Sequence, residues 1–139
     1  AGASQVFEAG YVTYSNNIKQ QALAVPATTL ASHGAVSEEV VLAMAAGALE
    51  ASGADIAVAV SGVAGPDGGS EEKPVGTVWL AWGSRDTLQA RQLYFPTSRA
   101  IFQQLVCATA LDLVRRDLAG IAQLPRYFTD RQLRRQKPA

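Results

Sequence analysis

A long segment punctuated by glycine and proline separates two strand-like runs near the middle of this chain, and it limits the possible folds more than any other feature. Ile56–Val60 (IAVAV) is a short apolar run bounded by Asp55 and by Ser61-Gly62, and Thr77–Trp82 (TVWLAW) is rich in β-branched and aromatic residues, so both read as strands. Between them Gly62, Gly65, Gly68, Gly69 and Gly76 alternate with Pro66 and Pro74, a mixture that opens positive φ at some positions and fixes φ at others. Two readings stay open at this level. Successive N–H groups turned inward at the end of a strand bind an anion such as phosphate or carboxylate; alternatively the segment is a wide connection made of tight turns. The spacing matches neither GxxxxGK[ST] nor GxGxxG, so no generic nucleotide-binding motif applies. Loops this long in small domains are more often functional than idle.

The flanking sequence alternates strand and helix signals. Tyr11–Tyr14 is β-rich, and Ser15 is a good N-cap for a short helix carrying Lys19. Pro26 suits the first turn of a second helix ending near Gly34. Ser37, followed by Glu38 and Glu39, opens a helix expected to run to about Ser52, with Val40, Val41, Met44, Ala45, Ala48 and Leu49 on one apolar stripe and Gly53 as the stop. After Thr77–Trp82, a turn at Gly83–Asp86 leads into Leu88–Phe95 as an antiparallel return strand. Pro96-Thr97-Ser98 then starts a helix through about Leu118, with Ile101, Leu105, Ala108, Leu111 and Leu113 as its inward candidates. The alternation predicts an α/β fold, a three-layer α/β/α sandwich on a mixed, mostly parallel sheet with Ile56–Val60 in its interior.

A chain of 139 residues, 48% hydrophobic and 17% charged, has the material for one compact core and too little for two ordinary domains. Twelve basic and twelve acidic side chains cancel, so no strong pull toward nucleic acid or a membrane surface is expected. One cysteine, Cys107, forms no internal disulfide. No bilayer-spanning run or secretion signal appears, which makes the cytoplasm the expected compartment. With one histidine, no cysteine pair and scattered carboxylates such as Glu38-Glu39 and Glu71-Glu72, no metal site is expected.

SGVAGPDGG followed by EEKPVGTVW, together with GYVTYSNNIK at Gly10–Lys19 and HGAVSEE at His33–Glu39, resembles the CinA C-terminal domain family of nicotinamide mononucleotide deamidases over roughly Ala1–Ala119. The resemblance implies an amidohydrolase that converts nicotinamide mononucleotide to nicotinic acid mononucleotide and ammonia in pyridine nucleotide salvage, with no cofactor. It also implies catalytic residues. The serine of the family's small-residue segment falls on Ser4, and the tyrosine and lysine of its YSNxxK segment fall on Tyr14 and Lys19. Physically, a serine hydroxyl needs a base to take its proton, and a lysine of lowered pKa is a reasonable base. Lys19 sits near the start of a helix, where the dipole disfavours an ammonium, and burial would act in the same direction. The glycine loop would then hold the substrate, with Ser61, Gly62, Gly65, Gly68, Gly69, Lys73 and Thr77 as the binding candidates.

Residues 1–120 are read as the deamidase-like domain and 121–139 as a basic tail. The family carries a helix, a strand and an ESCTGG-like motif before the point where this chain starts, and that piece is expected to be missing. In the tail, Tyr127-Phe128 with Arg131, Arg134, Arg135 and Lys137 superficially resembles a nucleic-acid binder. A terminal helix that packs its aromatics on the body, or on a second subunit, and solvates its arginines accounts for the same residues. The partners expected are a small-molecule mononucleotide and, as a homodimer, a second copy. The alternative is a non-catalytic ligand-binding or protein-interaction module associated with competence and the DNA damage response.

Overall fold

The computed structural model describes residues 2–132. Its elements are a 3-10 turn at Ala3–Gln5, α1 (Asn16–Leu23), α2 (Ala27–His33), α3 (Glu38–Ser52), β1 (Ala57–Gly62), β2 (Thr77–Gly83), β3 (Gln89–Tyr94), α4 (Arg99–Leu118) and the short α5 (Tyr127–Asp130). Local chemistry sets most of these bounds. The Ser15 hydroxyl accepts from the Ile18 amide at 3.1 Å and starts α1. Ser37 does the same for Val40 at 3.3 Å and starts α3, whose first turn holds Glu38 and Glu39 where the dipole favours them.

The sheet runs β1-β2-β3, with both pairs antiparallel. Val60 lies opposite Leu80, and Thr77 opposite Tyr94. The hairpin of β2 and β3 agrees with the sequence; the mostly parallel sheet does not. Parallel neighbours need a crossover element between them, whereas the glycine loop and the Ser84–Thr87 turn both simply reverse the chain. The expected strand at Tyr11–Tyr14 is extended but joins no ladder, leaving Val12 90% and Tyr14 88% exposed. Without it β1 is an edge strand among the described residues, not an interior one.

Helices cover both faces of the sheet. On one face α1, α2 and α3 pack over Ala59, Ala81 and Ala90, with Leu23, Val25, Leu30, Val40 and Val41 filling the core. On the other, α4 and α5 cover Val78, Leu80, Trp82 and Leu93. Central β2 is therefore buried on both sides, and its Leu80, fully enclosed, contributes about 1.5–3 kcal/mol of hydrophobic stabilisation. Helix α4 turns Phe102, Val106, Ala110 and Leu113 inward. Of the inward candidates read from periodicity, Leu113 is buried and Leu105 half-buried, but Ile101, Ala108 and Leu111 face outward. Apolar and polar residues are mixed around the helix, so spacing alone could not choose between its stripes; the large aromatic Phe102 packing edge-on to Phe95 does.

Of the two dockings open to the tail aromatics, on the body or on a second subunit, the described residues show the first for Phe128. Phe128 is buried against Trp82, with ring centroids 6.2 Å apart. The Tyr94 amide donates to the Arg131 carbonyl at 2.8 Å, so the tail covers part of the β3 edge. Arg134, Arg135 and Lys137 lie outside the described residues. A polar hub ties α5 to α4: the Asp112 carboxylate accepts from Arg115 at 2.6 and 3.1 Å, from Arg116 at 2.8 Å and from the Tyr127 hydroxyl at 3.1 Å. The Arg115 and Arg116 bonds pull Asp112 down to about 2 from 3.8, while burial and the Asp112 bond push Tyr127 up to about 12. A depressed carboxylate stabilises the fold above its unfolded value and loses that contribution as pH falls through its folded one. Thermal unfolding followed between pH 4 and pH 2 is thus expected to show a fall in Tm that is blunted in Asp112→Asn; equal slopes in both proteins would exclude Asp112 as the source.

Among the described residues no helix is long and apolar enough to cross a membrane.

Candidate active site

Lys19 is buried, 6% exposed, on the inner side of α1. The chain enters α1 through an extended stretch capped by Ser15, which turns the Thr13 and Tyr14 carbonyls toward the first helical turn. The Lys19 ammonium donates to them at 2.7 and 3.3 Å. Among the described residues no carboxylate pairs with it, and burial lowers its pKa below 10.5. A neutral amine has two N–H bonds, and these two carbonyls take both. A neutral amine so held would direct its lone pair away from them, as a general base must.

The other two members of the expected trio are placed differently. Tyr14 meets Lys19 through its backbone carbonyl, and its ring is exposed. Ser4 lies in the exposed 3-10 turn, and its hydroxyl makes no hydrogen bond to Lys19 or Tyr14.

Two of the binding candidates, Ser61 and Lys73, reach the junction of α2 and α3. At the end of β1 the Ser61 hydroxyl donates to the Ala35 carbonyl at 2.7 Å. The Lys73 ammonium reaches back from the glycine loop to the His33 carbonyl at 2.7 Å, where the C-terminal end of α2 favours a cation. His33 itself sits 3.2 Å from Glu39, so the lone histidine has a packing role at the helix junction. The base of the loop is zipped by Val63 and Thr77 (2.8 Å) and by Gly76 and Val63 (2.7 Å). At the tip Gly68 and Gly69 have φ of 86 and 89°, conformations that other residues adopt only with strain. Gly62 and Gly65 form the outgoing leg. Thr77 is fully buried beneath the loop, and its hydroxyl is the one buried side-chain polar atom without a partner among the described residues. Leaving such a group unsatisfied costs about 1–3 kcal/mol.

Two groups were not signalled by motif reading. Arg99, the first residue of α4, donates to the Gly65 carbonyl at 3.1 Å. A cation in a first helical turn opposes the dipole, and that anomaly was visible in the sequence. The Thr13 carbonyl that holds Lys19 gave no sequence signal, because every residue carries one. A cavity of about 330 Å³ lies at the opposite end of β2, between Trp82, Leu113, Arg116 and residues 120–125, and contains none of these groups. Among the described residues no cluster of three or more His, Cys, Asp or Glu could hold a metal ion.

The model of the CinA C-terminal domain matches residues 1–118. This chain belongs to the CinA C-terminal domain family. A CinA-like protein of Colwellia psychrerythraea is 56% identical over 131 residues, 94% of this chain and 30% of that protein. The nicotinamide-nucleotide amidohydrolase PncC of Escherichia coli K12 is 64% identical over 84 residues, 60% of this chain and 51% of the enzyme. Among solved structures, the competence/damage inducible protein CihA of Agrobacterium tumefaciens superposes with a TM-score of 0.80 at 42% identity, covering 88% of this chain and 73% of its own. The chain thus spans under a third of the Colwellia relative and about half of the Escherichia coli one.

Proposed function

We propose that this domain hydrolyses the carboxamide of nicotinamide mononucleotide, giving nicotinic acid mononucleotide and ammonia, as part of pyridine nucleotide salvage in the cytoplasm. The observation that carries the reading is the buried, carboxylate-free Lys19 amine held by two carbonyls. The names of the amidohydrolase relatives from Escherichia coli and Pseudomonas putida, 64% and 55% identical over the matched residues, support it.

In the proposed route Ser4 attacks the carboxamide carbon while Lys19 takes the hydroxyl proton. The tetrahedral intermediate collapses, Lys19 returns the proton to the departing nitrogen, and ammonia leaves an acyl ester on Ser4. Water, deprotonated by the same amine, then cleaves the ester to the carboxylic acid and restores the serine. Because Ser4 is not bonded to Lys19, this route requires the amino-terminal turn to close on the start of α1. Tyr14 would orient the amide as that closure occurs. The glycine loop holds the phosphate through its tip amides, Lys73 lends a cation, and Ser61 and Thr77 offer hydroxyls at the loop base. Thr77, fully enclosed and without a hydroxyl partner among the described residues, would meet the substrate only if the loop opens.

Release of ammonia and of the acid mononucleotide from nicotinamide mononucleotide tests the activity directly. Ser4→Ala separates the mechanisms: loss of turnover supports the acyl ester, and retained turnover means Lys19 activates water instead. Replacing Gly68 and Gly69 by valine is expected to raise KM at least roughly tenfold, because β-branched residues cannot hold the tip conformation that exposes the amides. An unchanged KM in a folded variant would make the loop structural only. A homodimer belongs to the same reading, supported by the exposed apolar Leu111 and Leu118 on the outer side of α4; sedimentation at equilibrium tests it. No turnover on any pyridine carboxamide would favour the interaction-module reading.

A further inference from the structure

The glycine loop is fastened by two cations, its own Lys73, which reaches the end of α2, and Arg99 of α4. Lys73 carries its return leg to the end of α2 on one face of the sheet. Arg99 holds its outgoing leg from the start of α4 on the other, through the Gly65 carbonyl at 3.1 Å. Gly65 is buried and backs directly onto Val75, so a pull at this point is transmitted to both legs. Between the two fastenings lies the exposed stretch 66–72, which contains the tip glycines. There the Ser70 amide is already engaged by the Lys73 carbonyl at 3.0 Å and the Lys73 amide by the Ser70 hydroxyl at 3.1 Å. The Gly68 and Gly69 amides have no backbone acceptor among the described residues and stay free for a ligand.

The location of Arg99 needs an explanation. The first turn of a 20-residue helix is where a cation is least welcome, and Ser98 gives that helix no side-chain cap. The guanidinium gains nothing there from an acidic neighbour, since the first turn has none. What it does gain is the bond across to Gly65, 34 residues away in sequence.

We infer that Arg99 is a positioning residue of the glycine loop: by holding the Gly65 carbonyl it keeps the tip amides in the arrangement that receives a phosphate. This rests on the reading that the loop binds the phosphate of a mononucleotide. The physical basis is preorganisation. A loop already ordered does not have to be ordered by the ligand, so affinity is gained without Arg99 touching the anion.

The test compares the natural protein with Arg99→Met and Arg99→Lys, using inorganic phosphate as the probe and amide hydrogen exchange of residues 66–72 as the second readout. In Arg99→Met, exchange in 66–72 is expected to quicken and phosphate affinity to fall, each by roughly tenfold, the scale of one lost hydrogen bond from a charged donor. Exchange in α3 should not change. Arg99→Lys, which keeps a donor within reach of Gly65, should recover most of both. For nicotinamide mononucleotide the same variants should act on KM more than on kcat. Weakened phosphate binding with unchanged loop exchange would overturn the inference, because Arg99 would then contact the anion itself. Faster loop exchange with unchanged phosphate affinity would overturn it as well, as would a natural protein that binds no phosphate. A natural protein that binds phosphate but hydrolyses no carboxamide would sink the amidase reading and leave this inference in place.

Discussion

Lys19→Met is expected to cut amide hydrolysis by roughly a hundredfold to ten-thousandfold, the contribution of a positioned general base. Methionine keeps the length and apolar volume of the stem, so α1 should still pack on α3. What it removes is the amine on the Thr13 and Tyr14 carbonyls. The pH dependence identifies the group. Burial lowers the Lys19 pKa below 10.5, so the active neutral form grows in as pH rises through that lowered value, and kcat/KM should rise with it. The same shift has a signature in stability. Between the lowered folded pKa and the unfolded value the unfolded chain binds more protons, so this residue makes the fold more stable as pH rises across that window. In Lys19→Met both trends should disappear together. Activity that persists in the variant, or a pH–rate profile that does not move, would remove Lys19 from the chemistry.

Gly47→Ala is expected to destabilise the protein, reversing the usual sign. Alanine in place of an interior helical glycine ordinarily adds about 0.5–1 kcal/mol. Here a Cβ on Gly47 would overlap the Leu23 carbonyl oxygen and stand 2.7 Å from its carbon, both backbone atoms that cannot rotate aside. Helix α1 would have to lift off α3, loosening the packing of Leu23 and Val25, which are 4% and 2% exposed. Overpacking of this kind costs about 1–3 kcal/mol, a fall in Tm of roughly 3–10 °C for a chain of this size. Because Lys19 rides on α1, the same shift should lower turnover along with stability. A higher Tm in Gly47→Ala would mean that α1 and α3 do not approach as closely as the structure has them.

The site was only half legible before folding. Lys19 and Lys73 stand out as cations beside caps and glycines, but the burial that changes Lys19 chemically depends on α3, a helix that follows it by some twenty residues of chain. The Arg99–Gly65 bond joins the two ends of a long excursion, and no local pattern encodes it. Ser4 has residue chemistry and a family position in its favour, but its place in an exposed turn follows from what surrounds residues 3–5, which composition does not reveal.

From sequence alone came the features governed by neighbours along the chain: α3 bounded by Ser37 and Gly53, the hairpin of β2 and β3, the glycine loop between strands, and aromatics in the tail poised to pack. Caps, turns and alternation are short-range effects, satisfied by atoms a few residues apart, so they can be read in order. Only the tertiary structure decided strand direction, the edge position of β1, the unpaired state of Tyr11–Tyr14 and the inward stripe of α4. Each of these depends on which backbone groups and apolar faces meet across the molecule, and a helix with apolar residues scattered around its sides, or a strand able to pair on either edge, carries no local information about that meeting.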